Sequence, residues 1–250
     1  MNSQELNLTW ATDAMRKLQE EMRFASHTDA SVLLSGENGV GKRFAAHIIH
    51  QLSENRRAPF VAISAAQVLT TASTSTSGAA DPFASDFLRA AEGGTLLIQD
   101  IEHIPEEVQL QLLRFMDRRT TATKHVRLMS TTTTDLFGLM QAGSFHEDLF
   151  YRLNVIAFNI PPLRERREDI PLMFRLYLSL HAGIVAPGLS TAAQRRLMEY
   201  SWPGNITELT SVTKTLSSRS LPELIDLEHL PSPLVECQSR DQELRRTSAI

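Results

Sequence analysis

The chain has 250 residues, a formal net charge of −4 and 42% hydrophobic residues. This length and composition predict a folded protein with room for one large α/β domain, or for such a domain and a small lid. The acidic balance argues against a protein whose main role is to coat nucleic acid, because such domains usually carry a basic face. The single cysteine, Cys237, excludes an intramolecular disulfide and disfavours a cysteine-based metal site.

Segments that would carry the chain into or across a membrane are not evident. Residues 1–10 are polar and lack the apolar core of a signal peptide. No apolar run approaches membrane-spanning length. We therefore expect a cytoplasmic location without membrane contact, and a reducing compartment agrees with the low cysteine content.

Amphipathic and apolar segments alternate along the first half of the chain. Strands that alternate with helices predict an α/β fold with a mostly parallel sheet covered by helices on both faces. Residues 70–78 are all Ser, Thr, Ala or Gly, and predict a flexible surface loop. Helices are predicted over residues 12–26, 42–52, 83–91 and 105–118, and buried strands over 31–34, 59–63, 95–98 and 126–130.

The character of the sequence changes after Pro161-Pro162-Leu163. From Ile170 onward the periodicity predicts helices only, over residues 170–183, 190–201 and 205–219. The tail is polar and is predicted to be loose. We therefore expect an α/β subdomain over residues 1–163, a helical lid over 164–234 and a polar tail over 235–250.

Residues 36–43 match the pattern G-x-x-x-x-G-K, between a predicted strand and a predicted helix. Glycines let backbone N–H groups turn toward phosphate oxygens, and the helix that follows adds its positive end. A glycine-rich turn that binds nothing is the alternative. The pattern predicts ATP or ADP as cofactor, with Lys42 on the terminal phosphates. The predicted binding residues are Gly36, Glu37, Asn38, Gly39, Val40, Gly41, Lys42 and Arg43.

Five segments together resemble one family, the AAA+ central domain of bacterial sigma-54-dependent transcription activators. The similarity runs from about residue 12 to 234. It implies a P-loop AAA+ domain with a helical lid that assembles into rings, hydrolyses ATP between subunits and remodels RNA polymerase carrying sigma-54. Residues 36–42, 93–98, 147–155, 161–170 and 202–209 are similar to the family's G-E-x-G-x-G-K, G-G-T-L-F-L-D-E, E-D-L-Y-Y-R-L-N-V, P-P-L-R-E-R-x-E-D-I and W-P-G-N-V-R-E-L.

Departures from the family fall first on the magnesium positions. Arg43 replaces the Ser or Thr that most phosphate loops offer to magnesium, and Gln99 replaces the Asp of the Walker B strand. A neutral carbonyl oxygen is a poor substitute for a carboxylate, so the resemblance implies weakened Mg²⁺ binding. Asp100 stands at the position of the catalytic Glu, where it is either a short-armed base or a polar strand-end residue. As a neighbour of Gln99 in the strand, it would face the opposite way.

Other departures remove charge or an amide group from the expected reaction site. Thr133 replaces the sensor asparagine, and a hydroxyl can orient a water with shorter reach. His146 replaces the first of two arginines that the family directs at a neighbouring subunit, which leaves Arg152. Arg152 is either that trans arginine or a surface charge. Thr207 replaces the lid arginine. Phosphoryl transfer depends on charge stabilisation, so these losses compound.

The segments that would contact partners also differ from the family. Residues 67–92 lack the motif G-A-F-T-G-A that touches sigma-54, and residues 120–125 replace a longer second loop. Sigma-54 contact is therefore doubtful. Neither a helix-turn-helix after the lid nor a receiver domain is evident, and the eight histidines show no metal-ligand spacing, so no metal residue is assigned.

The leading hypothesis is an ATP-binding transcription regulator whose nucleotide state controls assembly, as a homo-oligomer or in a mixed ring with a related activator. Hydrolysis is expected to be slow or absent. The second hypothesis is a working ATPase with Asp100 as base, Thr133 as sensor and Arg152 as trans arginine. The third is an interaction module without nucleotide. Binding and turnover assays separate the three.

Overall fold

The computed structural model describes residues 10–68, 86–119, 126–219, 221–231 and 234. The chain divides into two units. Among the described residues, the α/β unit contains those within 17–37 and 41–160, and the helical unit contains those within 10–16, 38–40 and 161–234. The Ser/Thr-rich run predicted as a loop, residues 120–125 and the polar tail over 235–250 lie outside the described residues.

The α/β unit is built on a parallel sheet of five strands in the order β2-β3-β4-β1-β5. The predicted α/β class with a parallel sheet is confirmed. The strands are β1 Val32–Ser35, β2 Phe60–Ser64, β3 Thr95–Gln99, β4 Arg127–Thr132 and β5 Ile156–Asn159. The helices are α1 Asp13–Ser26, whose first turn belongs to the helical unit, α2 Lys42–Leu52, α3 Asp86–Ala90, α4 Glu106–Arg119, α5 Leu136–Gln141 and α6 Glu147–Leu153.

The core of the α/β unit lies along its central strands. Leu96, Leu97 and Ile98 of β3 are fully buried, as is Leu128 of β4. A strand that is apolar at successive positions has both faces covered, which is the usual condition of a parallel sheet. Because β3, β4 and β1 are neighbours and parallel, their carboxyl ends lie side by side at one edge of the sheet. This arrangement brings the residues that follow three separate strands close together.

The helical unit consists mainly of α7 Ile170–Ala182, α8 Thr191–Glu199 and α9 Asn205–Ser217. The prediction of helices only after Ile170 was wrong, because β6 Gly188–Leu189 and β7 Leu224–Ile225 pair in parallel. Two-residue strands are too short to give a period that a sequence pattern could reveal. Among the described residues, no helix is long and apolar enough to cross a membrane.

Asp169 ties the start of α1 to the helical unit. Its carboxylate accepts hydrogen bonds from the N–H groups of Ala11 and Thr12, the latter at 3.0 Å, and from the Thr12 hydroxyl at 2.7 Å. The Asp169 residue is fully buried. Hydrogen bonds to a charged group are among the stronger ones in a protein, and a buried donor left unpaired is costly. The carboxylate therefore fixes where the chain enters its first helix.

Replacing Asp169 with Ala should destabilise the helical unit by about 2–4 kcal/mol, because three donors lose a charged acceptor. Both tryptophans of the chain, Trp10 and Trp202, are buried in this unit, so urea unfolding followed by tryptophan fluorescence reports on it. The matched control is Glu168→Ala, which removes an exposed neighbouring carboxylate and should change stability by less than about 0.5 kcal/mol. Equal unfolding midpoints for the two variants would contradict the assigned role.

Candidate phosphate-binding site

The loop between β1 and α2 has the backbone that an anion site requires. Gly36, Gly39 and Gly41 have φ values of 141°, 77° and 103°, a region that favours glycine. Gly41 is the N-cap of the 11-residue helix α2, and no side chain caps this end. The first turn of α2 also carries no acidic residue. The N–H groups and the positive end of the helix dipole thus fit a phosphate group.

Three donors of the helical unit hold the tip of this loop. The Asn205 side-chain amide donates to the Asn38 carbonyl at 2.9 Å, and the Ile206 N–H donates to the Gly39 carbonyl at 2.9 Å. The Arg166 guanidinium donates to the Val40 carbonyl, also at 2.9 Å. These three carbonyls accept in succession, so the orientation of each peptide plane in the tip is specified.

The direction of the loop N–H groups follows from those carbonyls. In a trans peptide the C=O and the next N–H point in opposite directions, and no peptide bond of the chain is cis. The N–H groups of Gly39, Val40 and Gly41 are therefore turned away from the donors that hold the carbonyls. Among the described residues they make no hydrogen bond. They are available to a ligand with several acceptor oxygens, such as a phosphate.

Gly39 leaves no room for a side chain at the tip. A Cβ at this position would lie 2.5 Å from the Gly204 carbonyl oxygen and 3.0 Å from the Thr207 hydroxyl oxygen. The positive φ adds backbone strain for any other residue. The middle glycine of the loop is therefore required by close packing as well as by its backbone conformation.

Asn205 and Arg166 hold the tip of the loop, and the sequence analysis did not assign them to the site. Asn205 has a φ of 51° and is fully buried, and its side-chain oxygen accepts from the Leu163 N–H at 2.9 Å. Arg166 is also buried, which lowers its pKa to about 10, and its guanidinium carbon lies 5.7 Å from the centre of the Trp10 ring. Their place in the motifs W-P-G-N and P-P-L-R-E-R was visible, but their contact with the loop was not.

Lys42 lies at the start of α2 and is buried. Its ammonium donates to the carbonyl oxygens of Gly36 at 2.7 Å and Glu37 at 3.0 Å. Burial lowers the pKa of Lys42, while the charges of Asp100 and Glu102 act in the opposite direction. The ammonium is therefore bound by carbonyl oxygens of its own loop. It lies close enough to the end of β3 for the Asp100 and Glu102 carboxylates to affect its pKa. Arg43, the next residue, is exposed.

Asp100 lies just beyond the end of β3 and not within it. The strand ends at Gln99, and Asp100 has the left-handed conformation with φ 57° and ψ 51°. Its N–H donates to the Thr131 hydroxyl at 3.1 Å. Treating Asp100 as a strand neighbour of Gln99 was therefore wrong, since strand alternation does not apply after the backbone has turned. Left-handed non-glycine residues store strain and are found frequently at functional sites.

Glu102 is the acidic residue that contacts the sensor position, and sequence reasoning missed it. It lies in the 3₁₀ turn Ile101–His103. One carboxylate oxygen, Oε1, accepts from the Thr133 N–H at 2.8 Å and from its hydroxyl at 2.7 Å. The available signal was a carboxylate two residues after Asp100, in the segment that follows the predicted strand 95–98. The structure thus brings together Lys42, Asp100, Glu102 and Thr133.

The structure places the two predicted intersubunit positions on α6. Arg152 forms an ion pair with Asp117 of the same chain, and both side chains are partly exposed. His146 is the N-cap of α6, and its N–H donates to the Gln109 side-chain oxygen at 2.7 Å. Arg152 is therefore paired in cis in this state, so a role in trans requires it to leave Asp117.

The described residues do not form a metal cage. No group of three or more His, Cys, Asp or Glu side chains is arranged among them to hold a metal ion. Gln99 ends β3 at the position where the family resemblance expects a carboxylate.

Comparison with known proteins agrees with this geometry. A family model described as the sigma-54 interaction domain matches residues 8–159, and one described as an AAA+ ATPase lid domain matches residues 164–247. The C4-dicarboxylate transport transcriptional regulatory protein DctD of Rhizobium meliloti is 36% identical, over 83% of this chain and 49% of its own length. The transcriptional regulator NtrC of Azospirillum brasilense is 33% identical, over 93% of this chain and 52% of its own.

Solved structures with the same fold include NtrX of Brucella abortus in complex with ATP. It matches with a TM-score of 0.76 and 28% identity, over 91% of this chain and 57% of that one. The ADP complex of NtrX matches with a TM-score of 0.74 and 29% identity, over 91% of this chain and 56% of that one. The chain spans about half the length of the curated relatives it matches. Since the first family model alone covers more than half of the chain, the chain belongs to the sigma-54 interaction domain family of AAA+ transcription regulators.

Proposed function

We propose that this protein binds ATP or ADP through residues 36–42 and acts as a nucleotide-dependent regulator of transcription. The observation that carries the proposal is the loop itself, with three glycines at positive φ, an uncapped helix N-terminus and a buried lysine. The NtrX complexes with ATP and ADP, which share the fold, support it. In this proposal, backbone N–H groups and the Lys42 ammonium bind the phosphates of the nucleotide.

Hydrolysis in the proposed function is slow or absent. Phosphoryl transfer requires positive charge and a well-placed carboxylate around the reacting phosphate. Gln99 is neutral where the family pattern expects a magnesium ligand, so Mg²⁺ is proposed to bind weakly. Arg152 is paired with Asp117, and Thr207 offers only a hydroxyl where a lid arginine is expected. Each loss removes charge that would stabilise the reaction.

A second candidate is an active ATPase with Asp100 as base, Thr133 as sensor and Arg152 as trans arginine. The left-handed backbone of Asp100 and its proximity to Lys42 favour it. In this case Arg152 must exchange its cis partner for a neighbouring subunit. Turnover at an ordinary rate of about 1 per second or faster would favour this candidate over the first.

Assembly is the proposed output of nucleotide binding. We propose that the protein forms a homo-oligomer or enters a mixed ring with a related activator, in the cytoplasm. We propose that the nucleotide-binding subdomain ends near residue 163 and that the helical lid begins there. The family relationship supports assembly in general. Because residues 67–92 lack the sigma-54 motif, we propose another copy of this chain or a related activator as the partner, and not sigma-54.

Lys42→Ala should weaken ATP binding by at least about tenfold, because a charge-assisted contact of about 1.5–3 kcal/mol is lost. Calorimetry with a poorly hydrolysed ATP analogue measures the difference. Lys17→Ala is the matched control, since its ammonium is exposed on α1 and its loss should leave the affinity unchanged. Equal affinities for the wild type and Lys42→Ala would remove the phosphate loop from the proposed function.

The protein alone should form no stable complex with sigma-54 in the presence of an ATP transition-state analogue. Interface energy is concentrated in a few large side chains, and residues 72–80 contain only small ones, with Phe83 the nearest aromatic. Retention of sigma-54 on the immobilised protein is the measurement, with a sigma-54 activator that carries the G-A-F-T-G-A motif as the positive control. Nucleotide-dependent retention by this protein would overturn the prediction.

A further inference from the structure

Glu102 makes a specific contact that the proposed function does not use. Its Oε1 atom accepts two hydrogen bonds from Thr133, one from the backbone N–H and one from the hydroxyl. The two residues are 31 positions apart, on the turn after β3 and the end of β4. Two donors from one residue leave the carboxylate little freedom to rotate, so its second oxygen has a defined direction.

The second oxygen, Oε2, is buried and has no hydrogen-bond partner among the described residues. A buried carboxylate oxygen without a donor is expensive, and natural proteins keep such atoms for a ligand, a water or a reaction. Burial by itself would raise the pKa of Glu102, but hydrogen bonds to its carboxylate outweigh burial and the pKa is lowered. The largest of these come from Thr133, and smaller ones come from the backbone N–H of Glu102 and the Thr132 hydroxyl. Glu102 is therefore ionised at neutral pH, with one oxygen that lacks a proton donor.

Asp100 offers a weaker case for the same chemistry. Among the described residues its carboxylate makes no hydrogen bond, so nothing fixes its rotation. Both carboxylates lie within electrostatic range of the Lys42 ammonium, which marks the phosphate end of the loop. A catalytic carboxylate must be held in the reactive geometry by its surroundings. Only Glu102 meets this condition in the described part of the site.

We propose that Glu102, positioned by Thr133, is the carboxylate that accepts a proton from the water attacking the terminal phosphate of ATP. The inference rests on the proposed nucleotide binding and names the residue through which the slow hydrolysis runs. The water oxygen bonds to the γ-phosphorus, and the bond between that phosphorus and the bridging oxygen of ADP breaks. The water proton passes to Glu102 Oε2 and then to solvent, and phosphate and ADP are released.

The experiment compares Glu102→Gln with Asp100→Asn in the full chain. Both variants keep the shape of the side chain and remove its charge. ATP binding is measured by fluorescence of a labelled nucleotide, and hydrolysis by single-turnover release of radiolabelled phosphate with enzyme in excess. Glu102→Gln should bind ATP within about threefold of the wild type and hydrolyse it about a hundredfold more slowly, as expected for loss of a general base. Asp100→Asn should slow hydrolysis by less than Glu102→Gln does, because no hydrogen bond from a described residue holds its carboxylate in place. Glu107→Gln, which removes an exposed charge from the first turn of α4, is the control and should hydrolyse ATP within about threefold of the wild type.

The variant Thr133→Val tests whether Thr133 positions Glu102 for hydrolysis or only contributes to the stability of the fold. It removes the hydroxyl but keeps the backbone N–H, so the rate should fall to a value between those of the wild type and Glu102→Gln. ATP affinity and the urea unfolding midpoint should not change.

The wild-type hydrolysis rate should also fall as the pH drops through the Glu102 pKa, which lies below the usual glutamate range, because the base is active only when ionised. Glu102→Gln should lack this acid limb.

Three results would overturn the assignment: an unchanged hydrolysis rate in Glu102→Gln, an equal loss in Asp100→Asn, or no hydrolysis by the wild type under single-turnover conditions. In each case measured ATP binding by the wild type leaves the proposed nucleotide binding intact. Absence of ATP binding by the wild type would contradict the proposed function itself. Failure of the two proposals is therefore distinguishable.

Discussion

The orientation of the peptide planes at residues 38–40 is the constraint on which the candidate site depends. Their carbonyls accept from Asn205, Ile206 and Arg166, and the N–H groups of the same peptide planes are thereby turned the other way. A loop of this composition would otherwise sample many conformations, since glycine loses more entropy on ordering than any other residue. The donors remove that freedom before a ligand arrives, so less of the binding energy is spent on ordering the loop.

Electrostatics explains why binding and hydrolysis are separated in the proposed function. Backbone N–H groups, a helix N-terminus and Lys42 are enough to attract and orient phosphates. Hydrolysis needs more, namely charge that stabilises the transition state and a carboxylate held at the right place. The positions that would supply the extra charge hold Gln99 and Thr207, and Arg152 is occupied by Asp117. In the proposed function, what remains is a phosphate-binding loop with a single carboxylate held by hydrogen bonds, Glu102.

Local features were predictable from the sequence, and long-range ones were not. Helix α2 was predicted with its observed ends, because the phosphate loop and the apolar period both mark it. The pairing of Glu102 with Thr133 and that of Arg152 with Asp117 join residues more than 30 positions apart, and no local pattern specifies such contacts. Helices α5 and α6 and strand β5 were not predicted either.

The left-handed turn at Asp100 is another feature that the sequence did not predict. Counting along a family motif placed Asp100 at the position of the catalytic Glu, but the direction of its side chain depends on the left-handed backbone at this residue. The same holds for Asn205, whose positive φ places the donor on the loop. Asp and Asn are the non-glycine residues that most readily adopt this conformation. The residue type therefore indicated that a left-handed residue was possible, but not at which Asp or Asn it would occur.

The most direct test is to measure ATP binding, phosphate release and oligomer mass on the same wild-type preparation, with and without Mg²⁺. Binding through backbone N–H groups and Lys42 predicts that ATP still binds after Mg²⁺ is chelated, that turnover stays well below about 1 per second in Mg²⁺, and that oligomer mass rises with bound nucleotide. Turnover at or above that rate, or no ATP binding in either condition, would contradict a regulator that works by binding nucleotide.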